Sequence, residues 1–243
     1  MIEIKNLYKR FGSNEVLRGI NLKIEPGETT VIIGKSGEGK SVLLKHILKL
    51  LSPDSGEVII EGQQINDLNL KQLYELRKKF GFLFQGAALF DSMTVEENVG
   101  LALVENKNGF SEKEIEEIVK EKLFLVGLPG VEKLKPAELS GGMKKRVGLA
   151  RALVTNPDYI LYDEPTTGLD PIMSDSIDNL IKELSEKLNV TSVVVTHDMY
   201  SVKNVADVVA MMHEGKIHFT GTPQELLDSK DETVIDFIKR TWV

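Results

Sequence analysis

Apolar and polar positions alternate over residues 1–7 and 21–24, with the turn-prone Gly12-Ser13-Asn14 between them, which predicts an antiparallel hairpin at the start of the chain. After Pro26-Gly27, residues 29–33 form an uninterrupted apolar-rich run with the character of a buried strand. A glycine-rich stretch follows, then an amphipathic pattern in which Leu44, Ile47, Leu48 and Leu51 share one helical face. The cluster Ser52-Pro53-Asp54-Ser55-Gly56 ends that helix, residues 57–61 read as a short strand, residues 70–79 as a helix and residues 80–84 as a strand.

Between residues 94 and 156 the period changes to that of helices and strands nearly vanish. Ser111-Glu112-Lys113-Glu114 is a capping box, and Ile115, Ile118, Val119, Leu123 and Val126 follow at helical spacing. Strand patterns return at 159–162 and 190–196 with a helix over 174–188 between them, a βαβ unit that implies a parallel sheet. Near the end Val234, Phe237, Ile238 and Trp242 recur at near-helical spacing, so residues 231–243 are expected to pack as a helical tail on the chain's own core or on a second copy. The expected fold is α/β: a parallel-sheet core with an N-terminal antiparallel β subdomain and a helical subdomain inserted at about 87–156, all within one domain spanning 1–243.

Composition narrows the chemistry. The chain has 243 residues, 42% of them apolar, enough for one large packed domain. Its 37 acidic and 30 basic side chains give a net charge of −7, which argues against a nucleic-acid partner held by general phosphate attraction. With no cysteine, disulfides, thiolate metal sites and a Cys nucleophile are excluded. Neither a transmembrane-length apolar run nor a secretory signal is evident, so the expectation is a soluble, cytoplasmic chain.

Gly34-Lys35-Ser36-Gly37-Glu38-Gly39-Lys40-Ser41 fits the P-loop pattern, placed between a strand and a helix. Glycines let successive N–H groups wrap a phosphate, and the helix adds its positive end. Lys40 is expected to reach the β and γ phosphates of ATP and Ser41 to hold Mg2+. Asp163 and Glu164 close the strand at 159–162, where a parallel sheet presents its ligand-facing edge. Asp163 is assigned to magnesium through its water shell and Glu164 to the water that attacks the γ-phosphate.

Leu139-Ser140-Gly141-Gly142-Met143 precedes a helix-like run at 144–154 and offers a second helix N-terminus stripped of bulk. Together with the P-loop, these residues resemble the ATP-binding-cassette ATPases over nearly the whole chain. The resemblance implies a P-loop NTPase (RecA-like) fold and makes Ser140, Gly141 and Gly142 a signature that closes over nucleotide held by a partner copy. By the same resemblance Gln85 is the Q-loop glutamine, a magnesium and water ligand. His197 is the switch histidine near the γ-phosphate, and Asp170 of Gly168-Leu169-Asp170 lies in a loop that crosses the dimer interface. Phe11 occupies the place of an aromatic under adenine, with Tyr8 as the competing residue, and either could instead be hairpin core. One P-loop and one signature per chain imply a head-to-tail homodimer with two composite sites.

The family docks a helix of an integral-membrane permease just after the Q-loop, which points to Ala88, Leu89 and Phe90, with Lys135-Pro136-Ala137-Glu138 as a second contact. Residues 82–95, Asn98-Val99 and the methionine at Met143 look like the ATPases of Mla/Mce-type lipid transporters, which implies a permease, an Mce-type lipid-binding protein and attachment to the cytoplasmic face of the inner membrane. The chain stops soon after Thr220-Gly221-Thr222-Pro223, so the added regulatory domain of many sugar-importer ATPases is not expected. Importers of amino acids or other small solutes, lipoprotein exporters and soluble non-transport ABC ATPases share much of this scaffold and stand as alternatives.

Overall fold

The computed structural model describes residues 1–105 and 109–241. The chain opens with the hairpin β1 (Ile2–Phe11) and β2 (Asn14–Ile24), followed by β3 (Thr29–Ile33) and α1 (Lys40–Ile47). Next come β4 (Ser55–Ile60), β5 (Gln63–Gln64), α2 (Leu70–Lys78) and β6 (Phe80–Leu83). The helical stretch contains α3 (Val95–Glu105), α4 (Glu112–Leu125) and α5 (Gly141–Leu153). The remainder alternates β7 (Tyr159–Asp163), α6 (Pro171–Leu188), β8 (Thr191–Val195), α7 (Met199–Val205) and β9 (Val208–His213). It ends with β10 (Lys216–Gly221), α8 (Pro223–Leu227) and α9 (Glu232–Thr241).

Among the described residues the strands form two sheets. One is antiparallel in the order β2-β1-β4-β5; the other has the order β10-β9-β3-β8-β7-β6 and is parallel except for β10. The parallel strands send alternate side chains into two different cores, as the two-residue period requires. Val31, Ile33, Ile160, Tyr162 and Val194 pack with the helices α3 to α7, while Ile32, Leu161, Val193 and Val195 pack with α1 and the antiparallel sheet. Both faces are thus covered, which explains why these strands read as continuous apolar runs.

Two helices differ in length from the sequence expectation. α1 ends at Ile47, before Leu51, because Lys49 turns into the left-handed region (φ 49°). Lys49 N–H then donates to His46 O (2.9 Å) and Leu50 N–H to Lys45 O (2.8 Å), the paired bonds of a Schellman stop. Arg77 of α2 closes the same end by donating to Leu48 O and Lys49 O. α6 begins at Pro171 rather than residue 174, because Asp170 Oδ1 accepts from Met173 N–H at 3.0 Å and proline suits the first helical position. The capping box at Ser111 forms as its spacing predicts. The hairpin β9–β10 is not among the elements expected from the sequence, although the run 208–212 and the turn Glu214-Gly215 carry its signal.

Of the tail, Val234 and Phe237 are fully buried and Ile238 partly so, all against the helical core of the same chain. Trp242 lies outside the described residues.

Candidate functional site

Because β3, β6, β7 and β8 run parallel, their C-terminal ends share one edge, and the chemistry-bearing residues sit there. β3 runs into the glycine-rich loop, β7 ends at Asp163, and His197 follows two residues after the end of β8. Gln85 leaves β6 by the same edge.

The loop is shaped by glycines that nothing else could replace. Gly39 has φ 96°, and a Cβ there would come within 2.7 Å of Val16 and 2.9 Å of Leu17. Gly34 has φ 156°, and its Cβ would meet Met212 O at 2.8 Å. Lys40 is buried and donates to Gly34 O (2.8 Å) and Lys35 O (3.1 Å), so the loop curls around its own lysine. Burial pushes the Lys40 ammonium below the usual lysine pKa, while Glu164, Glu38 and Asp163 oppose that shift. Lys35 reaches outward to Asp236 of α9 at 3.9 Å, and Glu38 faces His213 at 3.5 Å.

Ser41, on the first turn of α1, donates its hydroxyl to Asp163 Oδ1 at 2.6 Å. The neighbouring Glu164 adopts a left-handed backbone (φ 49°), which turns its carboxylate off the line of the strand. His197 Nδ1 lies 2.9 Å from Glu164 Oε2 and 3.1 Å from Oε1, and Thr167 donates to Oε2 at 2.9 Å. A cleft of about 310 Å³ joins Phe11, Ser36, Gly37, Gly39, Lys40, Ser41, Gln85 and Glu164. Phe11 is 46% exposed and opens onto this cleft, whereas Tyr8 is not among its lining residues. A hydroxyl, an amide and a carboxylate at one edge are hard oxygen donors of the kind that hold Mg2+ together with phosphate oxygens.

The signature residues lie elsewhere. Ser140 caps α5 by accepting from Met143 N–H at 3.2 Å; Ser140 and Gly141 are exposed, Gly142 is buried, and none of the three lines the cleft of its own chain. Asp170 is exposed at the start of α6, where it also serves as the helix cap. After Gln85 the chain takes two consecutive left-handed residues, Ala87 (φ 59°) and Ala88 (φ 48°), whose carbonyls are clamped by Arg151 at 2.6 and 2.7 Å. The result separates the apolar patch: Ala87 is buried, Leu89 packs partly into the helical core, and Phe90 stands 50% exposed. Sequence reasoning missed Lys145 and Arg151, whose spacing on α5 from Gly148 is a helical three in each direction.

Comparison with known proteins agrees with this geometry. The family model for ABC transporter matches residues 17–167. The chain is 44% identical over 239 residues to the intermembrane phospholipid transport system ATP-binding protein MlaF of Haemophilus influenzae, covering 98% of this chain and 90% of that one. It is 41% identical to the methionine import ATP-binding protein MetN of Clostridioides difficile, covering 93% of this chain and 70% of the relative. Among solved structures, a dimeric ATP-binding cassette in a post-hydrolysis state bound to ADP and Pi matches with a TM-score of 0.84 and 36% identity, over 92% of this chain and 99% of that one. Among the described residues no helix is long and apolar enough to cross a membrane. A P-loop opposite a strand-end Asp-Glu pair, a signature set apart from that cleft and these likenesses lead to one conclusion: the chain belongs to the ABC transporter family and is an ATP-hydrolysing, ATP-binding subunit of such a transporter.

Proposed function

We propose that this chain powers lipid transport, with phospholipid as the cargo class, by hydrolysing MgATP in the cleft at the P-loop. The observation that carries the catalytic half is the Glu164 carboxylate, held by His197 and Thr167 on the same edge as Lys40 and the Ser41–Asp163 pair. In this reading the P-loop amides from Gly34 to Ser41 cradle the phosphates, Lys40 turns to the β and γ groups, and Phe11 stacks under adenine. Ser41, Gln85 and Asp163 hold the magnesium, which when bound neutralises charge on the phosphate oxygens. Glu164 orients the attacking water and takes its proton, and His197 keeps that carboxylate aimed.

The cleft of one chain lacks the signature, so Ser140, Gly141 and Gly142 act on the nucleotide of a second copy. Two chains make a head-to-tail homodimer with Asp170 at its interface, closed by two ATP and opened after hydrolysis. The permease helix is assigned to Ala88, Leu89 and Phe90, beside the groove lined by Tyr74, Phe82, Ala102 and Arg151. Exposed Phe84, whose ring lies 4.2 Å from that of Phe82, and exposed Phe90 supply apolar surface for such a helix. The dimer then sits on the cytoplasmic face of the inner membrane through the permease, with an Mce-type lipid-binding protein in the same complex and no nucleic acid.

The lipid assignment rests on the Q-loop stretch 82–95, on Met143 and on the 44% identity to a phospholipid transport ATPase along 90% of its length. Likeness to a methionine importer supports small-solute transport as the second reading. Mass spectrometry of proteins and lipids co-purified with this chain from detergent-solubilised membranes separates the two. A polytopic permease with an Mce-type protein and bound phospholipid is expected; a permease with a soluble solute-binding protein overturns the lipid assignment.

A further inference from the structure

Lys145 carries an ammonium into the interior of the protein. It is 5% exposed, one helical turn beyond Gly141 on α5, and its Nζ donates to two backbone carbonyls, that of Gln85 and that of Glu164, the latter at 3.2 Å. An amine buried this deeply is costly unless its donors are used and opposite charge is near. Both conditions hold, since Glu164 and Asp163 lie close enough to favour the charged form against the burial.

The surroundings make the contact specific. Glu164 sits in a left-handed conformation that costs a non-glycine residue energy and persists only where neighbours enforce it. Its N–H donates to Val195 O at 2.9 Å, and its carbonyl is taken by Lys145, so the peptide groups on both sides of the strained residue are tied. On the same face of α5, Gly148 allows close approach to the Q-loop: a Cβ there would come within 2.8 Å of Leu83 and 3.2 Å of Ala87. Arg151, one turn further, holds the carbonyls of Ala87 and Ala88. Residues 145, 148 and 151 thus form one stripe on which the Q-loop is seated.

We propose that Lys145 is a positioning residue for ATP hydrolysis, pinning the backbones of Glu164 and Gln85 to the helix that begins at the signature. The proposal rests on reading Glu164 as the group that activates water. α5 is a single rigid element, so the helix that offers Gly141 and Gly142 to one nucleotide also holds the water-activating carboxylate for the other. Displacement of the signature end therefore reaches the chain's own Glu164 within one helical turn.

The test compares Lys145→Met, Lys145→Arg, Glu164→Gln and the double variant Lys145→Met/Glu164→Gln in the full chain, measuring steady-state ATP turnover and the affinity for a fluorescent ATP analogue. Methionine keeps much of the stem and removes the donor and the charge; if its melting temperature falls below the assay temperature, the same cycle is run with Lys145→Gln. Lys145→Met is expected to lower kcat by about tenfold or more while KM and analogue affinity change less than about twofold. Lys145→Arg, which keeps a cationic donor, should stay within about threefold of the wild-type rate. In the Glu164→Gln background the Met substitution should cost several-fold less than in the wild type, since one of its two partners has already lost its function and only the hold on Gln85 remains. A wild-type kcat for Lys145→Met, or an equal loss with and without Glu164→Gln, overturns the proposal while a slow Glu164→Gln leaves the base assignment standing. A Glu164→Gln variant that turns over normally removes the base assignment and the proposal with it.

Discussion

Ser41 Oγ donates to Asp163 Oδ1 across 2.6 Å, joining two residues 122 positions apart in the chain. The bond spans the gap between the first turn of α1 and the last residue of β7, so the hydroxyl and carboxylate meet at the sheet edge before any nucleotide is considered. Ser41→Ala removes one of the proposed magnesium donors and leaves the buried Asp163 short of a partner. The magnesium concentration for half-maximal turnover should rise about tenfold, and the nucleotide-free protein should lose about 1–3 kcal/mol of stability. Magnesium titrations of ATPase activity and denaturant melts read the two effects separately.

Glu164→Gln keeps the shape of the side chain and its contacts with Thr167 while removing the proton acceptor. Turnover should fall by about 10²–10⁴ with nucleotide affinity preserved, because the proposed site assigns the phosphates to the P-loop rather than to this carboxylate. Single-turnover hydrolysis beside equilibrium binding decides the point; a wild-type rate would mean that another group activates water.

Phe11 opens onto the cleft at the end of the first hairpin, and its ring can stack on a base without reading it. Phe11→Ala should weaken ATP binding by about tenfold, while Phe11→Tyr or Phe11→Trp should restore it. GTP should be affected to a similar extent, since stacking tolerates any base. An unchanged Kd for Phe11→Ala would return the adenine contact to Tyr8 or to neither.

Asp178 of α6 is buried beneath α7, where it accepts a 2.8 Å hydrogen bond from Ser201 Oγ. Burial raises its pKa from 3.8 to about 7, with Asp198 and Asp175 adding to the rise. The folded state therefore holds this proton more tightly than the unfolded state, so stability from this group is full below about pH 4 and lost as pH climbs through about 7. Asp178→Asn cannot ionise and should gain stability relative to the parent as pH rises from 5 to 8, in buffered thermal melts at about those values. Parallel stability profiles for the two proteins would contradict the buried-acid account.

Much of this architecture was readable from local signals. β3 and β7 fall where apolar runs placed them, and the cap at Ser111 forms as its spacing requires, because these depend on residues close in sequence. The motif residues were legible for the same reason, each being tied to the end of a predicted strand or the start of a helix. The failures were of two kinds. α1 stops short of Leu51 through a left-handed lysine, a choice enforced by Arg77 from another helix and invisible in the periodicity of α1 itself. Lys145 and Arg151 belong to no motif read from the sequence, and only the packing of α5 against β6 turns them inward to backbone carbonyls.

The strands β3, β7 and β8 are covered on both faces, and this sets a hierarchy of opening within the molecule. An amide in their midst meets deuterated solvent only when one of two cores comes apart, which for such strands approaches global unfolding. The glycine-rich loop and the Asp163–Glu164 pair grow directly from the ends of these doubly covered strands. The signature, by contrast, opens α5, a helix packed on one face of the sheet, and Phe90 stands exposed in the segment between β6 and α3. Motion can therefore be concentrated in the exposed segments proposed to meet partners, while the proposed hydrolytic site stays anchored to the strands that are hardest to open.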